Sequence, residues 1–315
     1  DEAFATYKRG WNVNKRLKVE KRILNYLAEL ENNNLIYKDI YLEDYLLSLL
    51  KKIHPVRLHK GRELYFTIKI LNSEKEKIFT FENGTILITT QLIANSSEEK
   101  DLFEKMVQSV VHIIYDHSYK SMDTFSEDPQ RQLGMIYSSE ITKKGKRIAE
   151  EYMKFYTRNQ NQIHKFHNNQ YFIDRTANVV SYTAWQEYYS QHYMKSLRLL
   201  NKVIDAGFGT EEDYLLKAKL YRILGSGDEA LKEAIHSIRI AESFGNQKLT
   251  DIYSEKGILL MKINKWNEAL EAFKKYKELI MNQPGSDLEM KWCVQMMHKC
   301  QRQIKTNVDV SVVTD

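Results

Sequence analysis

The chain has 315 residues with 43% hydrophobic and 28% charged side chains, a formal net charge of +5, 12 Gly and only 3 Pro. That length suits two domains with separate cores, and so few breakers favour long helices. The positive charge is interleaved with acidic residues, which argues against a nucleic-acid partner, because such binders cluster their basic groups on one face.

The basic run 143–147, "KKGKR", reads as a solvated helix face. Cys293 and Cys300 stand seven apart in a helical stretch, so at about 1.5 Å per residue they are too distant to bridge each other. No apolar run reaches the roughly 20 residues of a membrane span.

In chain order, residues 13–31 repeat apolar side chains at helical period through Leu17, Ile23, Leu24, Leu27 and Leu30. Residues 39–52 predict a second helix. The period then changes. The segments 64–71, 77–82 and 85–90 are rich in β-branched and aromatic residues and predict a small sheet of three strands, with Asn83-Gly84 as a hairpin turn. A helix is predicted over 96–117, started by Ser96 or Ser97 with acidic residues in its first turn. Residues 118–135 read as a polar loop, and 139–163 and 168–189 as two long helices.

From 191 onward the chain is helical and self-similar. Tyr214–Ile238 and Ile252–Tyr276 superpose, with Ala218 twelve residues before Ala230 and Gly257 twelve before Ala269. Small residues at that spacing let the two helices of a hairpin approach closely. The pattern resembles the tetratricopeptide repeat, although the offset between copies is 39 residues instead of 34. Residues 191–207 and 287–304 read as flanking, more degenerate helices; a non-repeating bundle is the alternative.

The run "NGTILITTQLI" (83–93) followed by "DLFEKMVQSVVHIIYDH" (101–117) resembles the HtpX-like and CAAX-prenyl-endopeptidase-like zinc metallopeptidases. In that family an edge strand beside the cleft precedes a helix carrying H-E-x-x-H, and one branch continues into tetratricopeptide repeats. The resemblance implies an α+β fold, a metallopeptidase-like domain over 1–190 with a small sheet and long helices, followed by all-α repeats over 191–315. It implies that Thr85, Ile86, Leu87, Ile88 and Thr89 form an edge strand able to pair with an extended peptide. It also implies an exported, periplasmic or envelope location in a bacterium. The first residue, Asp1, suits a trimmed or processed chain.

The catalytic positions depart from the family. In H-E-x-x-H, two histidines one turn apart hold Zn²⁺ and the Glu is the base for the metal-bound water. Here Gln108 stands at the first His, Ser109 at the Glu, and only the second His is kept, as His112. The family's third ligand, a Glu four residues before an Asp, corresponds to Gln170, with Asp174 retained. Amides are weak zinc ligands and a hydroxyl is a poor base near neutral pH. The resemblance therefore implies an inactive peptidase homologue without a cofactor, binding a protein or peptide through the cleft strand and the concave face of the repeats.

The alternative is an active peptidase whose zinc site is rebuilt from His112, Asp116, His117, His164 or His167. Ser109 with His112 as a nucleophile pair has no legible orienting acid. The relic positions should converge, Gln108, His112 and Gln170 together, with Asp174 one turn behind. Val107, Val110, Val111 and Ile114 should face the core.

Overall fold

The strand Thr85–Thr89 decides the layering of the N-terminal part, because all five of its residues are buried and none alternates to a polar face. A strand with apolar groups on both sides needs a cover on each face. The computed structural model describes residues 13–51, 57–58, 62–63, 66–81, 83–114, 166–225, 228–245, 250–281 and 283–313. It divides into two compact units, residues 1–180 and 181–315.

The first unit contains α1 (Val13–Asn32), β1 (Ile36–Tyr37), α2 (Ile40–Lys51), β2 (Arg57–Leu58), β3 (Arg62–Glu63), β4 (Thr67–Leu71), β5 (Ile78–Thr80), β6 (Thr85–Thr89), α3 (Thr90–Asn95) and α4 (Glu99–Ile114). The helix α5 (Asn169–Tyr189) begins in this unit and ends in the next. The main sheet has the order β1-β4-β6-β5, and β2 with β3 makes a separate two-stranded ribbon. β4 runs parallel to β6, while β5 is antiparallel to it.

The pleat sorts the side chains. Ile86 and Ile88 join Ile68, Ile70 and Ile78 in a core with Leu42, Leu46 and Leu49 of α2, Phe103 and Val107 of α4, and Phe172 of α5. Leu87, pointing the other way, packs with Ile23 and Leu30 of α1 and with Phe81. The hairpin expected at Asn83-Gly84 is present: Gly84 sits at φ 89°, and the Asn83 side-chain oxygen accepts from the Thr85 N–H at 3.1 Å.

Three expectations change here. The main sheet has four strands instead of three, because the two-residue β1 pairs with β4 and is too short to carry a period. Residues 90–93, expected to extend the strand, form α3, with Thr89 as its N-cap accepting from the Leu92 N–H. Most important, β6 is interior. Its five residues pair with Thr67–Leu71 on one side, and Ile86, Leu87 and Ile88 pair with β5 on the other.

The second unit is helical: the end of α5, then α6 (Tyr193–Asp205), α7 (Glu211–Leu224), α8 (Asp228–Ser243), α9 (Asp251–Lys262), α10 (Trp266–Ile280) and α11 (Asp287–Val313). Helices α7 with α8, and α9 with α10, form the two expected hairpins. At the close approach in the second of these, a Cβ on Gly257 would lie 2.6 Å from the Phe273 ring.

A further copy precedes them. Ala184 lies twelve residues before Ser196, both are buried, and the Ser196 hydroxyl donates to the Ala184 carbonyl at 2.7 Å. Ala184 to Ala218 is 34 residues, the period of the tetratricopeptide repeat. The longer offset of the next copy has two sources. α8 has 16 residues against 13 in α6, and seven positions (244–250) separate α8 from α9 where five (206–210) separate α6 from α7. The turns agree as well. Gln191 and Asn264, each seven positions after the small residue of its copy, adopt left-handed backbone at φ 63° and 60°.

Candidate functional site

The relic positions can be followed only in part. Gln108, Ser109 and His112 lie on α4 as expected, but their side chains are outside the described residues, as are those of Val110, Val111 and Ile114 and the whole of Asp116, His117 and His164. Val107 is fully buried in the core, as expected. Gln170 and Asp174 are exposed on α5, and Asp174 lies 3.9 Å from Arg175 Nε. Among the described residues no group of three or more His, Cys, Asp or Glu could hold a metal ion.

The expected peptide-binding edge at Thr85, Ile86, Leu87, Ile88 and Thr89 is not available for strand addition. β4 and β5 occupy both of its hydrogen-bonding sides. The absence of alternation in "TILIT" signals burial on both faces of the sheet and says nothing of which edges are paired.

A polar cluster that sequence reading missed lies at the start of α4. Glu99 is 1% exposed, and its carboxylate accepts from the Tyr45 hydroxyl at 2.8 Å and from the His167 backbone N–H at 2.6 Å. His167 Nδ1 lies 2.8 Å from the same carboxylate. The helix N-terminus favours the negative charge. Burial, then the bond to Glu99 and its charge, push the Tyr45 hydroxyl far above the usual phenol range. The His167 ring stacks on Tyr171 at 4.1 Å, and the Arg175 guanidinium lies 5.0 Å from the Tyr171 ring centre. The cluster clamps α2, α4 and the start of α5 together. Its chemistry is that of a positioned carboxylate–histidine pair; no nucleophile among the described residues is seen at it.

In the second unit, the first helices of the three copies present one shared face. Trp185 stacks on Tyr189 at 5.8 Å, and Tyr188 meets both rings edge-on, at 5.8 and 5.6 Å. Lys219 of α7 places its ammonium 5.6 Å from the Trp185 ring centre and 2.9 Å from Asp251 of α9. Arg222, one turn further, forks onto Glu255, with Nη2 3.2 Å from Oε2. Burial raises the Tyr188 hydroxyl, while Lys219 and Arg222 pull it back down. Tyr189 is 69% exposed and Ile223, four residues after Lys219, is 39% exposed. An aromatic surface beside paired charges can bury an apolar ligand while its polar rim stays satisfied.

No protein-family model matches this chain, and no curated protein does. Among solved structures it is similar to the type III secretion translocator chaperone SycD of Yersinia enterocolitica, at 16% identity and a TM-score of 0.38, over 42% of this chain and 88% of that one. A second is SycD in complex with a peptide of the translocator YopD, at 16% identity and a TM-score of 0.36, over 41% of this chain and 94% of that one. Among the described residues no helix is long and apolar enough to cross a membrane.

Proposed function

We propose that this chain is a non-catalytic binding protein whose helical repeats hold an extended segment of a partner protein. The observation that carries the reading is the face built by α5, α7 and α9, where Trp185, Tyr188 and Tyr189 lie beside the Lys219–Asp251 and Arg222–Glu255 pairs. Three stacked copies make a continuous surface of a kind that single helices cannot offer. The exposed Tyr189 with the half-buried Trp185 and Tyr188 beside it is its energetic anchor, since Tyr and Trp lose little conformational entropy on binding.

In the same proposal the N-terminal unit is a degenerate metallopeptidase-like scaffold. Its support is the sequence resemblance together with Gln108 and Ser109 where a ligand and a base would stand. Strand addition at β6 is not part of the proposal, since that strand is interior. An envelope location is proposed on the resemblance alone, and cell fractionation decides it.

The test is site-specific photo-crosslinking in the native host. A photoreactive phenylalanine analogue at position 189 should give one defined protein adduct, identified by mass spectrometry. The same analogue at Glu271, exposed on the second helix of its hairpin, should give none. Adducts from both positions, or from neither, would overturn the reading.

A further inference from the structure

We infer that the segment held on this face carries a basic side chain, Lys or Arg, close in sequence to an apolar one, and that the carboxylate of Asp251 receives it. This rests on the binding reading above and assigns the partner's chemistry.

Four charged side chains meet the aromatic group, and they differ in what they present to solvent. The cations are the sheltered members: the side chain of Lys219 is 16% exposed and that of Arg222 25%. Glu255 is closed off, since its side chain is buried and Arg222 engages both of its oxygens. The Asp251 side chain, by contrast, is 54% exposed. Lys219 takes its Oδ2 at 2.9 Å, and among the described residues no donor takes Oδ1.

The Lys219–Asp251 pair is therefore open on its acidic side. An incoming carboxylate would meet Asp251 before it reached Lys219. An incoming ammonium or guanidinium can take the free oxygen with Lys219 still in place. The repeat carries this charge in register. Glu212 and Asp251 each stand six positions before the small residue of their copy, Ala218 or Gly257, and both are exposed. Acidic groups are favoured at any helix start. What marks Asp251 is its bridge, through Lys219, to the aromatic group.

The same contacts give the apolar half of the inference. The Lys219 ammonium lies 2.9 Å from Asp251 and 5.6 Å from the Trp185 ring centre, so carboxylate and ring are no further apart than those two distances together. Trp185 stacks on Tyr189, the open end of the aromatic group. A chain whose cation rests on Asp251 thus reaches Tyr189 within about four extended residues. The ring faces attract the same cation as it arrives.

A random linear peptide library on phage, panned against the full chain, tests this directly. The expected winners are richer in Lys and Arg than in Asp and Glu, and carry an aromatic or large aliphatic side chain within about four positions of a basic one. As synthetic peptides they should lose about fivefold in affinity on Asp251→Asn and about tenfold on Tyr189→Ala, and raised salt should weaken them. Glutamine in place of the peptide's basic residue should cost the parent about fivefold and the Asp251→Asn variant little, as two ends of one contact require. Lys274→Ala, altered on an exposed second-helix position, should bind like the parent. Because Asp251 and Tyr189 are exposed, both variants should melt within a few degrees of the parent. Acidic or uncharged winners, or basic winners that bind Asp251→Asn like the parent, would overturn the inference and leave the binding reading standing. Recovery of no peptide that binds in solution would overturn both.

Discussion

Among the described residues, Tyr45 of α2 and both the backbone and ring of His167 are joined to the first turn of α4 by hydrogen bonds to the one buried carboxylate of Glu99. Removing it strands the buried Tyr45 hydroxyl and the part-buried backbone N–H of His167. Glu99→Ala should therefore destabilise the N-terminal unit by about 3 kcal/mol, and Tyr45→Phe by about 1 kcal/mol, since the second change leaves the His167 bonds in place. Urea denaturation followed at the core signals measures both; equal losses would show that the tyrosine, not the carboxylate, organises the cluster. Tyr276 supplies a pH-dependent contribution in the second unit. Burial first, then the charges of Glu289 and Asp251, push its hydroxyl up to about 12 from 10.0. The folded state holds this proton more tightly than the unfolded chain, so the stabilisation is complete below pH 10 and is lost as pH rises through 12. Tyr276→Phe should flatten the fall of melting temperature across that window, and an unchanged slope would contradict the assignment.

Among the elements, the hairpin of α9 and α10 is set by one contact. Gly257 leaves room for the Phe273 ring, and an added Cβ would sit at 2.6 Å from it. Gly257→Val should cost roughly 1–3 kcal/mol by forcing the helices apart, and combination with Phe273→Leu should cost less than the sum of the two. Strict additivity in that double-mutant cycle would show that the contact does not hold the hairpin. The copy built from α5 and α6 uses the same geometry with Ser196 in place of alanine. Its hydroxyl is affordable in the core only because the Ala184 carbonyl accepts it. That pairing is invisible in the sequence, which is why 191–207 reads there as a flanking helix and 168–189 as part of the preceding domain.

For the whole molecule, the loss of chemistry is the proposal most open to direct measurement. With Gln108, Ser109 and Gln170 where two ligands and a base are expected, purified protein should carry far less than stoichiometric zinc and should not hydrolyse unstructured protein. Stoichiometric zinc, with hydrolysis abolished by a chelator, would reinstate the rebuilt site. The structure places the boundary between units at Val180 and Ser181, within α5, whereas the sequence reading puts it at 190. A continuous helix gives no composition shift to mark where its contacts change.

The helical periods, the Asn83-Gly84 turn and the twelve-residue spacing of small residues were legible because each is a local property: one residue type at a fixed offset dictates a backbone or a close approach. Strand order was not. Whether "TILIT" lies at an edge or between neighbours depends on Thr67–Leu71 pairing beside it, a contact between segments that propensity does not encode. The Glu99 cluster was hidden for the same reason, since its members are 54 and 68 positions apart and converge only when α2, α4 and α5 pack. The proposed binding face was half legible. The repeat announced that first helices would share a side, but only the packed helices bring Trp185, Lys219 and Asp251 into one row and neutralise its cations, leaving Tyr189 and Ile223 as its exposed apolar groups.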